Sequence, residues 1–323
     1  MPTPRKLQVD LSVTSYYHCI SRCVRQAYLC GKNKKTGQSF DHRKTWLVEK
    51  MKALTEFFAI EICAYAVISN HYHIVLRVNQ EKALAWSKEE VVTRWAGLFR
   101  MSKAPELIEA GLTKSILKEN EELIEKWCKQ LYEIGWFMRV LNEGIARQAN
   151  KEDNCKGRFW EGRFKSQALL DEAAILTCMA YVDLNPIRAK ISDTPETSDF
   201  TSIQERIHAI GKKQPKTLAP LETSYKRSNT LPIALTDYIE LVDESGRVIR
   251  DDKRGCISEN LTPILTRLGI NHESWVNTLQ HLESNFESFI GTPQKMKWLQ
   301  HKRGKQHTRG SSAAKRIFLS KVA

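Results

Sequence analysis

The chain has 323 residues, of which 41% are hydrophobic and 27% are charged, and its formal net charge is +13. This composition supports a folded core and excludes global disorder, and the length fits roughly two domains of ~150 residues each. The longest apolar run covers only residues 62–68, whereas a membrane span needs about 20 residues. The first residues also lack the apolar stretch of a signal peptide, so we expect a cytoplasmic protein.

The first half of the chain alternates between strand-like and helix-like patterns. Residues 16–23 have the β-rich character of a strand, and residues 42–60 carry apolar side chains at the three- and four-residue spacing of a helix. Two further β-rich runs, residues 62–69 and 71–78, are separated by a single residue. Residues 81–150 are helical in pattern, so we interpret them as a helical insertion between two halves of one sheet.

The second half changes character after about residue 210. Residues 159–170 are strand-like, and residues 172–185 predict a helix that Pro186 should end, because the residue before a proline avoids the helical region. Residues 211–235 are rich in Lys, Pro and Ser and indicate a linker. Residues 236–300 are typical of a small helical module.

Positive charge is concentrated at the C-terminal end. Residues 288–323 contain nine Lys and Arg and no acidic residue, so the preceding residues carry a net charge of only +4. Such a stretch is typical of a solvated arm that holds nucleic acid through its phosphates. We therefore expect a flexible basic tail over residues 301–323 and a polyanionic partner.

Two histidines lie close together in residues 71–78. Because side chains alternate across a strand, His71 and His73 share one face while Tyr72 and its alternate neighbours face the core. Two adjacent imidazoles suit one divalent metal ion. The alternative is an ordinary pair of surface histidines, since this short pattern is common.

A tyrosine with a polar neighbour stands out on the predicted helix 172–185. Tyr181 and Asn185 are four residues apart, so they are neighbours on the helix surface, about 100° round from its apolar stripe. The alternative is a half-exposed tyrosine that packs on a neighbouring element.

A mixture of cations and aromatics lies between these two features. Residues 156–166 hold four cations, three aromatics and two glycines. Aromatic faces stack on unpaired bases while Arg and Lys hold phosphates, so this mixture suits a reader of single strands. A β-hairpin edge with ordinary aromatic packing is the alternative. The candidate DNA-binding residues are Arg158, Trp160, Arg163 and Lys165, with Arg22 and Arg25 as weaker candidates.

Taken together, these segments resemble the single-tyrosine HUH transposases with an IS200-like domain, and especially the branch of REP-associated tyrosine transposases. The resemblance rests on His-Tyr-His at residues 71–73 and on Ala-Tyr-Val-Asp-Leu-Asn-Pro-Ile-Arg-Ala at residues 180–189. Tyr-His-Cys-Ile-Ser-Arg-Cys and Gly-Arg-Phe-Trp-Glu-Gly-Arg-Phe-Lys-Ser add to it. It covers roughly residues 12–205, and the insertion is only loosely matched.

The resemblance implies an α+β fold: a ferredoxin-like antiparallel sheet with helices on one face, here within residues 1–210, followed by a C-terminal helical extension. It implies a nucleoid-associated enzyme that cuts and rejoins single-stranded DNA near hairpins through a 5′-phosphotyrosine. Tyr181 matches the nucleophile, and His71, His73 and Asn185 match the ligands of a Mg or Mn ion. The resemblance leaves open whether the protein is a monomer or a homodimer.

Three other functions stay open at this stage. One is a nicking replication initiator or relaxase-type enzyme that uses the same site, and another is a hairpin-DNA-binding regulator without cleavage activity. The third is a structural zinc module built from Cys19, Cys23, His71 and His73, although no second matched cysteine pair supports it.

Overall fold

A computed structural model gives the fold, and it describes residues 8–24, 29–31, 37–99, 114–212, 217–222, 231–250, 265–266, 270–304 and 307–319. The strands are β1 (Tyr16–Arg22), β2 (Ile60–Val67), β3 (His71–Val78), β4 (Lys165–Leu169), β5 (Leu221–Glu222), β6 (Leu231–Ala234) and β7 (Phe289–Ile290). The helices are α1 (His42–Phe57), α2 (Gln80–Leu84), α3 (Lys88–Leu98), α4 (Lys114–Glu119), α5 (Glu121–Gln130), α6 (Ile134–Glu152), α7 (Glu172–Asp183), α8 (Asn185–Arg188), α9 (Ser202–His208), α10 (Leu235–Ile249), α11 (His272–Asn285), α12 (Pro293–Lys302) and α13 (Ser311–Ile317).

A five-stranded sheet in the order β2-β3-β1-β4-β7 forms the centre of the molecule. All neighbouring strands are antiparallel except β4 and β7, which are parallel. A tight turn joins β2 to β3, closed by a bond from the Ile68 amide to the His71 carbonyl oxygen at 2.9 Å. The predicted α+β class is therefore confirmed, and β1 lies between the histidine strand and β4.

Helices cover both faces of this sheet, which corrects the expectation of helices on one face. Tyr72 points to α6, where its hydroxyl donates to Asn142 at 2.7 Å. The next residue, His73, points the other way and meets Tyr181 of α7. Because successive side chains of a strand face opposite sides, α6 and α7 must enclose the sheet between them.

The expected insertion is only partly a separate unit. Helices α3, α4 and α5 contribute to a small core of their own, formed by Val91, Val92, Leu117, Ile124 and Leu131. Helix α6, in contrast, buries Phe137, Met138 and Leu141 in the main core. The final helix of this region is therefore a layer of the sheet domain.

The chain turns sharply at the end of α7. Helix α7 ends at Asp183, and Pro186 occupies the first turn of the short helix α8. Proline favours that position, because its ring presets φ and no amide hydrogen is needed there. Pro186 thus ends one helix and helps to begin the next.

The C-terminal part packs onto the sheet domain. Strand β7 extends the sheet beside β4, and α11 contacts α7. Within the predicted linker, β5 and β6 pair in a small parallel sheet.

The expected flexible basic tail is wrong over residues 307–319. They include α13, which packs against α11 and α12 and buries Ala314, Ile317 and Phe318. The main-chain oxygen of Ile317 also accepts a hydrogen bond from the Asn271 amide. Apolar packing therefore fixes this basic segment in place.

The described residues include no candidate membrane-spanning helix and no disulfide bond. None of their helices combines the length and the apolar character that crossing a membrane would require. The seven cysteines among them form no disulfide, and five are buried.

Candidate active site

The two histidines of β3 stand side by side. Their ring centroids are 4.9 Å apart, with His73 fully buried and His71 partly exposed. Burial lowers the pKa of His71 to about 4, with a smaller contribution from the positive charge of Arg22. Burial also lowers the pKa of His73 well below its ordinary value. Both imidazoles are therefore neutral at neutral pH, the form that binds metal ions.

Tyr181 lies edge-on to His73 and to a further histidine, His18 of β1. The centroid of its ring is 5.9 Å from that of His73 and 6.3 Å from that of His18. Asp171 caps the N-terminus of helix α7, its side chain accepting the Ala174 amide at 3.0 Å, and the helix is buried from Ala173 to its end, where it contacts the sheet and α11. Burial raises the pKa of the Tyr181 phenol, so the hydroxyl keeps its proton at neutral pH.

Two charged residues contact the Tyr181 hydroxyl. The hydroxyl donates to Oε1 of Glu283 at 2.8 Å, and Nη2 of Arg188 donates to it at 3.2 Å. The Arg188 guanidinium carbon also lies 3.9 Å from the ring centroid, a cation–π contact. The phenolic oxygen thus has a carboxylate acceptor and a cation beside it.

A third histidine, His18, is buried behind His73. Its Nε2 lies 3.0 Å from His73 Nδ1, and its Nδ1 lies 2.8 Å from Oε1 of Gln167 on β4. Sequence reasoning missed His18, because its closeness to His73 depends on the strand register: Ile20, two residues on and on the same face of β1, pairs with His73. Glu283 and Gln167 had no such local signal, and Arg188 stood unassigned within the tyrosine motif.

Asn185 is the third metal ligand that the resemblance implies. Among the described residues, no hydrogen bond or ring contact joins it to His71 or His73. Asn185 begins α8, one helical turn beyond Tyr181, and is buried. The carboxylate that approaches is instead Glu283, whose Oε1 stands 3.7 Å from His73 Nε2.

The residues present fit a metal ion in one respect. His73 Nε2 is buried without a hydrogen-bond partner, as expected of an atom that offers its lone pair to a cation. Within the described ranges, however, no three His, Cys, Asp or Glu side chains form a group that could hold an ion. The chain thus presents two neighbouring imidazoles, and His71 and His73 are the residues that would hold a divalent ion.

A cavity opens beside Glu283 on the same side of the sheet. Its volume is about 520 Å³, and cations line it: Arg163 and Lys165 from the segment before and within β4, and Arg309 from the C-terminal part. Two of the predicted DNA-binding residues therefore lie next to the tyrosine site.

The other predicted DNA-binding residues have different positions. Arg22 is exposed and pairs with His71 across β1 and β3, so it borders the site. Arg158 is exposed, and its guanidinium contacts the Glu161 carbonyl oxygen. Trp160 is buried against Tyr72, and its indole N–H donates to the Asn142 carbonyl oxygen at 2.8 Å.

Trp160 is thus on the far face of the sheet, and its prediction as a base-stacking residue is wrong. The physical reason is that its neighbours in the core satisfy both its ring and its polar atom. Arg25 lies outside the described residues.

The zinc alternative fails on strand geometry. Cys19 pairs with Ile74 on β3, whereas Ile20 pairs with His73. Because neighbouring residues on a strand face opposite sides, Cys19 lies across the sheet from His73 and cannot share a metal ion with it.

Comparison with known proteins finds a weak match to a solved structure. One solved structure, described as a REP-associated tyrosine transposase bound to a REP hairpin, matches over 68% of this chain and 93% of that chain. The TM-score is 0.35 and the sequence identity is 12%, so the likeness supports no conclusion about this chain. No protein-family model and no curated protein matches the chain.

Proposed function

We propose that this protein cuts and rejoins single-stranded DNA near hairpins through a covalent 5′-phosphotyrosine formed by Tyr181. The observation that carries the proposal is the meeting of the Tyr181 ring with His73, at 5.9 Å between centroids, although the two residues lie far apart in the sequence. A buried phenol, a carboxylate, a guanidinium and neutral imidazoles in one place form a set of groups suited to phosphoryl transfer.

The chemistry begins with a poor nucleophile. A phenol of pKa ~10 is about 0.1% ionised at pH 7, and burial raises the pKa of Tyr181 further. Glu283, at 2.8 Å, is placed to accept the proton as the phenolic oxygen attacks phosphorus, and Arg188 is placed to stabilise the developing negative charge.

One P–O bond forms to Tyr181, and the bond to the upstream 3′ oxygen breaks. That oxygen takes up a proton and leaves as a 3′-hydroxyl. The phosphodiester energy stays in the tyrosine link, so attack by another 3′-hydroxyl rejoins the strand without ATP.

His71 and His73 are the proposed ligands of a Mg or Mn ion. When bound, such an ion would neutralise charge on the scissile phosphate. Neutral imidazoles accept Mn more readily than Mg.

Replacing both histidines by alanine is therefore expected to abolish high-affinity Mn²⁺ binding and metal-dependent cleavage. Calorimetry would measure Mn²⁺ binding, and a labelled oligonucleotide would report cleavage. His42→Ala is the matched control, since His42 pairs with Glu152 away from the site. Unchanged cleavage in the double variant would refute the metal site.

The cavity beside Glu283 is the proposed seat of the cut strand. Arg163, Lys165 and Arg309 line it, and cations of this kind hold phosphates. Phe164, in the same wall, is half-buried and offers an aromatic surface for a base.

A second basic surface suits the duplex stem of a hairpin. Lys295, Lys297, Lys315 and Arg316 are exposed on α12 and α13, in the stretch of the chain that contains no acidic residue. Because packing fixes these helices, their charges form a permanent surface for phosphates.

Changing Lys295, Lys297 and Lys315 to glutamine is expected to weaken hairpin binding most at low salt. The slope of log affinity against log salt should fall by about 0.9 for each duplex phosphate that the protein no longer neutralises. Fluorescence anisotropy at several salt concentrations measures this slope. Changing the exposed Lys118, Lys126 and Lys129 of α4 and α5 removes the same charge elsewhere, and an equal effect there would contradict the assignment.

The whole proposal is tested by trapping the covalent product. The wild-type protein is incubated with Mn²⁺ and a hairpin oligonucleotide labelled on its 3′ side, and then separated on a denaturing gel. We expect a labelled protein band, and mass spectrometry should place the nucleotide on Tyr181. Binding without any adduct would favour the hairpin-binding regulator, and an adduct at another residue would move the nucleophile.

A further inference from the structure

A chain of hydrogen bonds leads from the main chain through two buried side chains to His73. Nε2 of Gln167 donates to the main-chain oxygen of Phe286 at 3.2 Å, and its Oε1 lies 2.8 Å from His18 Nδ1. His18 Nε2 in turn lies 3.0 Å from His73 Nδ1. All three side chains are at least nine-tenths buried, so solvent takes no part in these bonds.

The Gln167 amide sets the direction of every proton in this chain of bonds. A carboxamide nitrogen only donates, and its oxygen only accepts. Because the nitrogen is engaged with the Phe286 carbonyl, the oxygen faces His18 and accepts the proton on Nδ1. His18 is fully buried, and its two ring nitrogens bond to Gln167 and His73, neither of which carries a negative charge, so the ring is neutral and its Nε2 has a lone pair that accepts the proton of His73 Nδ1.

This direction of the protons determines the state of the other ring nitrogen of His73, Nε2. His73 is also fully buried, and burial disfavours a charged ring, so with the proton on Nδ1 the Nε2 atom keeps a lone pair. That atom is buried without a hydrogen-bond partner, and Oε1 of Glu283 stands 3.7 Å away, beyond hydrogen-bond distance. A lone pair and a carboxylate oxygen that face each other with no proton between them form a favourable environment for a cation.

We propose that His18 and Gln167 are positioning residues that hold His73 in the tautomer with its proton on Nδ1, so that the Nε2 lone pair points into the site. The opposite tautomer would require the Gln167 amide to turn over, which would set its oxygen against the Phe286 carbonyl oxygen. Histidines that bind metals commonly donate their other N–H to a protein acceptor in this way. Only the use of the lone pair, to bind a divalent cation, rests on the proposed function.

Nitrogen NMR of the full-length, metal-free protein tests the tautomer directly. Histidine is labelled with ¹⁵N, and long-range proton–nitrogen correlations at neutral pH show which ring nitrogen carries the proton. The signals of His18 and His73 are assigned from their loss in His18→Gln and His73→Gln variants. We expect the proton on Nδ1 in both residues of the wild type, and a proton on His73 Nε2 would overturn the proposal.

Two variants of nearly equal size test the role of Gln167. Gln167→Leu removes the acceptor for His18, so His73 should populate both tautomers, and Mn²⁺ affinity should fall about 10- to 100-fold. Gln167→Glu, measured at a pH at which its buried carboxyl is protonated, keeps both the acceptor for His18 and a donor to the Phe286 carbonyl oxygen, so it should retain the wild-type tautomer. If Gln167→Leu leaves the His73 tautomer unchanged, Gln167 does not position it.

The two proposals can fail separately. If no phosphotyrosine adduct forms but His73 has the expected tautomer, the proposed function is refuted and the positioning role of His18 and Gln167 is supported. If a covalent adduct forms but His73 carries its proton on Nε2, the positioning role is refuted and the proposed function is supported.

Discussion

Replacing Tyr181 by phenylalanine is expected to abolish the covalent protein–DNA adduct while hairpin binding stays near the wild-type level. The phenylalanine ring would keep the buried contacts of Tyr181 with His18 and His73, and only the oxygen bonded to Glu283 and Arg188 would be removed. Without that oxygen no phosphotyrosine can form. A denaturing gel with labelled DNA measures the adduct, and anisotropy measures binding.

Two further variants make this result specific. Tyr16→Phe is a matched control, because Tyr16 is a half-buried tyrosine on β1 whose hydroxyl contacts Arg77 away from the site, and its adduct yield should equal that of the wild type. Glu283→Gln keeps the shape but weakens the proton acceptor, so the adduct should form more slowly without disappearing. An adduct that persists in Tyr181→Phe would show that another residue is the nucleophile.

Short-range pattern was enough to place the central groups of the site. Strand alternation alone puts His71 and His73 on one face, and apolar periodicity alone predicts the helix that carries Tyr181. The contact between β3 and α7 depends on which helix packs on which face of the sheet, and no local sequence pattern specifies this packing. Only the resemblance to a family predicted that the two would meet.

Glu283 shows why the remainder of the site could not be predicted. It reaches Tyr181 from α11, which follows the predicted linker and belongs to a region that the sequence pattern indicates as a separate module. Its position depends on the contact of α11 with α7 and on β7 joining β4. The two-residue strand β7 is too short to produce a periodic signal.

In helix α13, by contrast, the sequence does contain a helical signal, but the surrounding positive charges led to the expectation of a flexible arm. Ala314, Ile317 and Phe318 follow the three- and four-residue spacing of a buried helix face. The charges around them suggested a solvated arm, yet Lys315 and Arg316 lie on the exposed face of the same helix. Charge alone was therefore a poor guide to order here.

Replacing Asp183 by alanine is expected to lower the free energy of unfolding by about 3–5 kcal/mol. Its fully buried carboxylate accepts hydrogen bonds from the Ser202 hydroxyl at 2.5 Å, the Ile203 amide at 3.0 Å and the Tyr238 hydroxyl at 2.5 Å. Burial nevertheless raises the pKa of Asp183 to about 6. Alanine would leave three buried donors without an acceptor, and each such donor costs about 1–3 kcal/mol.

Urea unfolding followed by circular dichroism measures this decrease, and two controls limit its interpretation. Tyr238→Phe removes one of the three donors together with its bond, so it should cost only about 1 kcal/mol. Asp243→Ala removes an acidic residue of α10 that pairs with Arg247 at the surface, and it should change stability by less than about 0.5 kcal/mol. Equal effects of Asp183→Ala and Asp243→Ala would contradict the buried network.

The same substitution should also disturb the site. Asp183 is the last residue of α7, two positions after Tyr181, and its partners lie on α9 and α10. These bonds hold the end of the tyrosine helix against the C-terminal part, which supplies Glu283. Asp183→Ala protein that is still folded at low temperature should therefore form the adduct more slowly than Asp243→Ala protein, because the Tyr181 hydroxyl is no longer held at its partners.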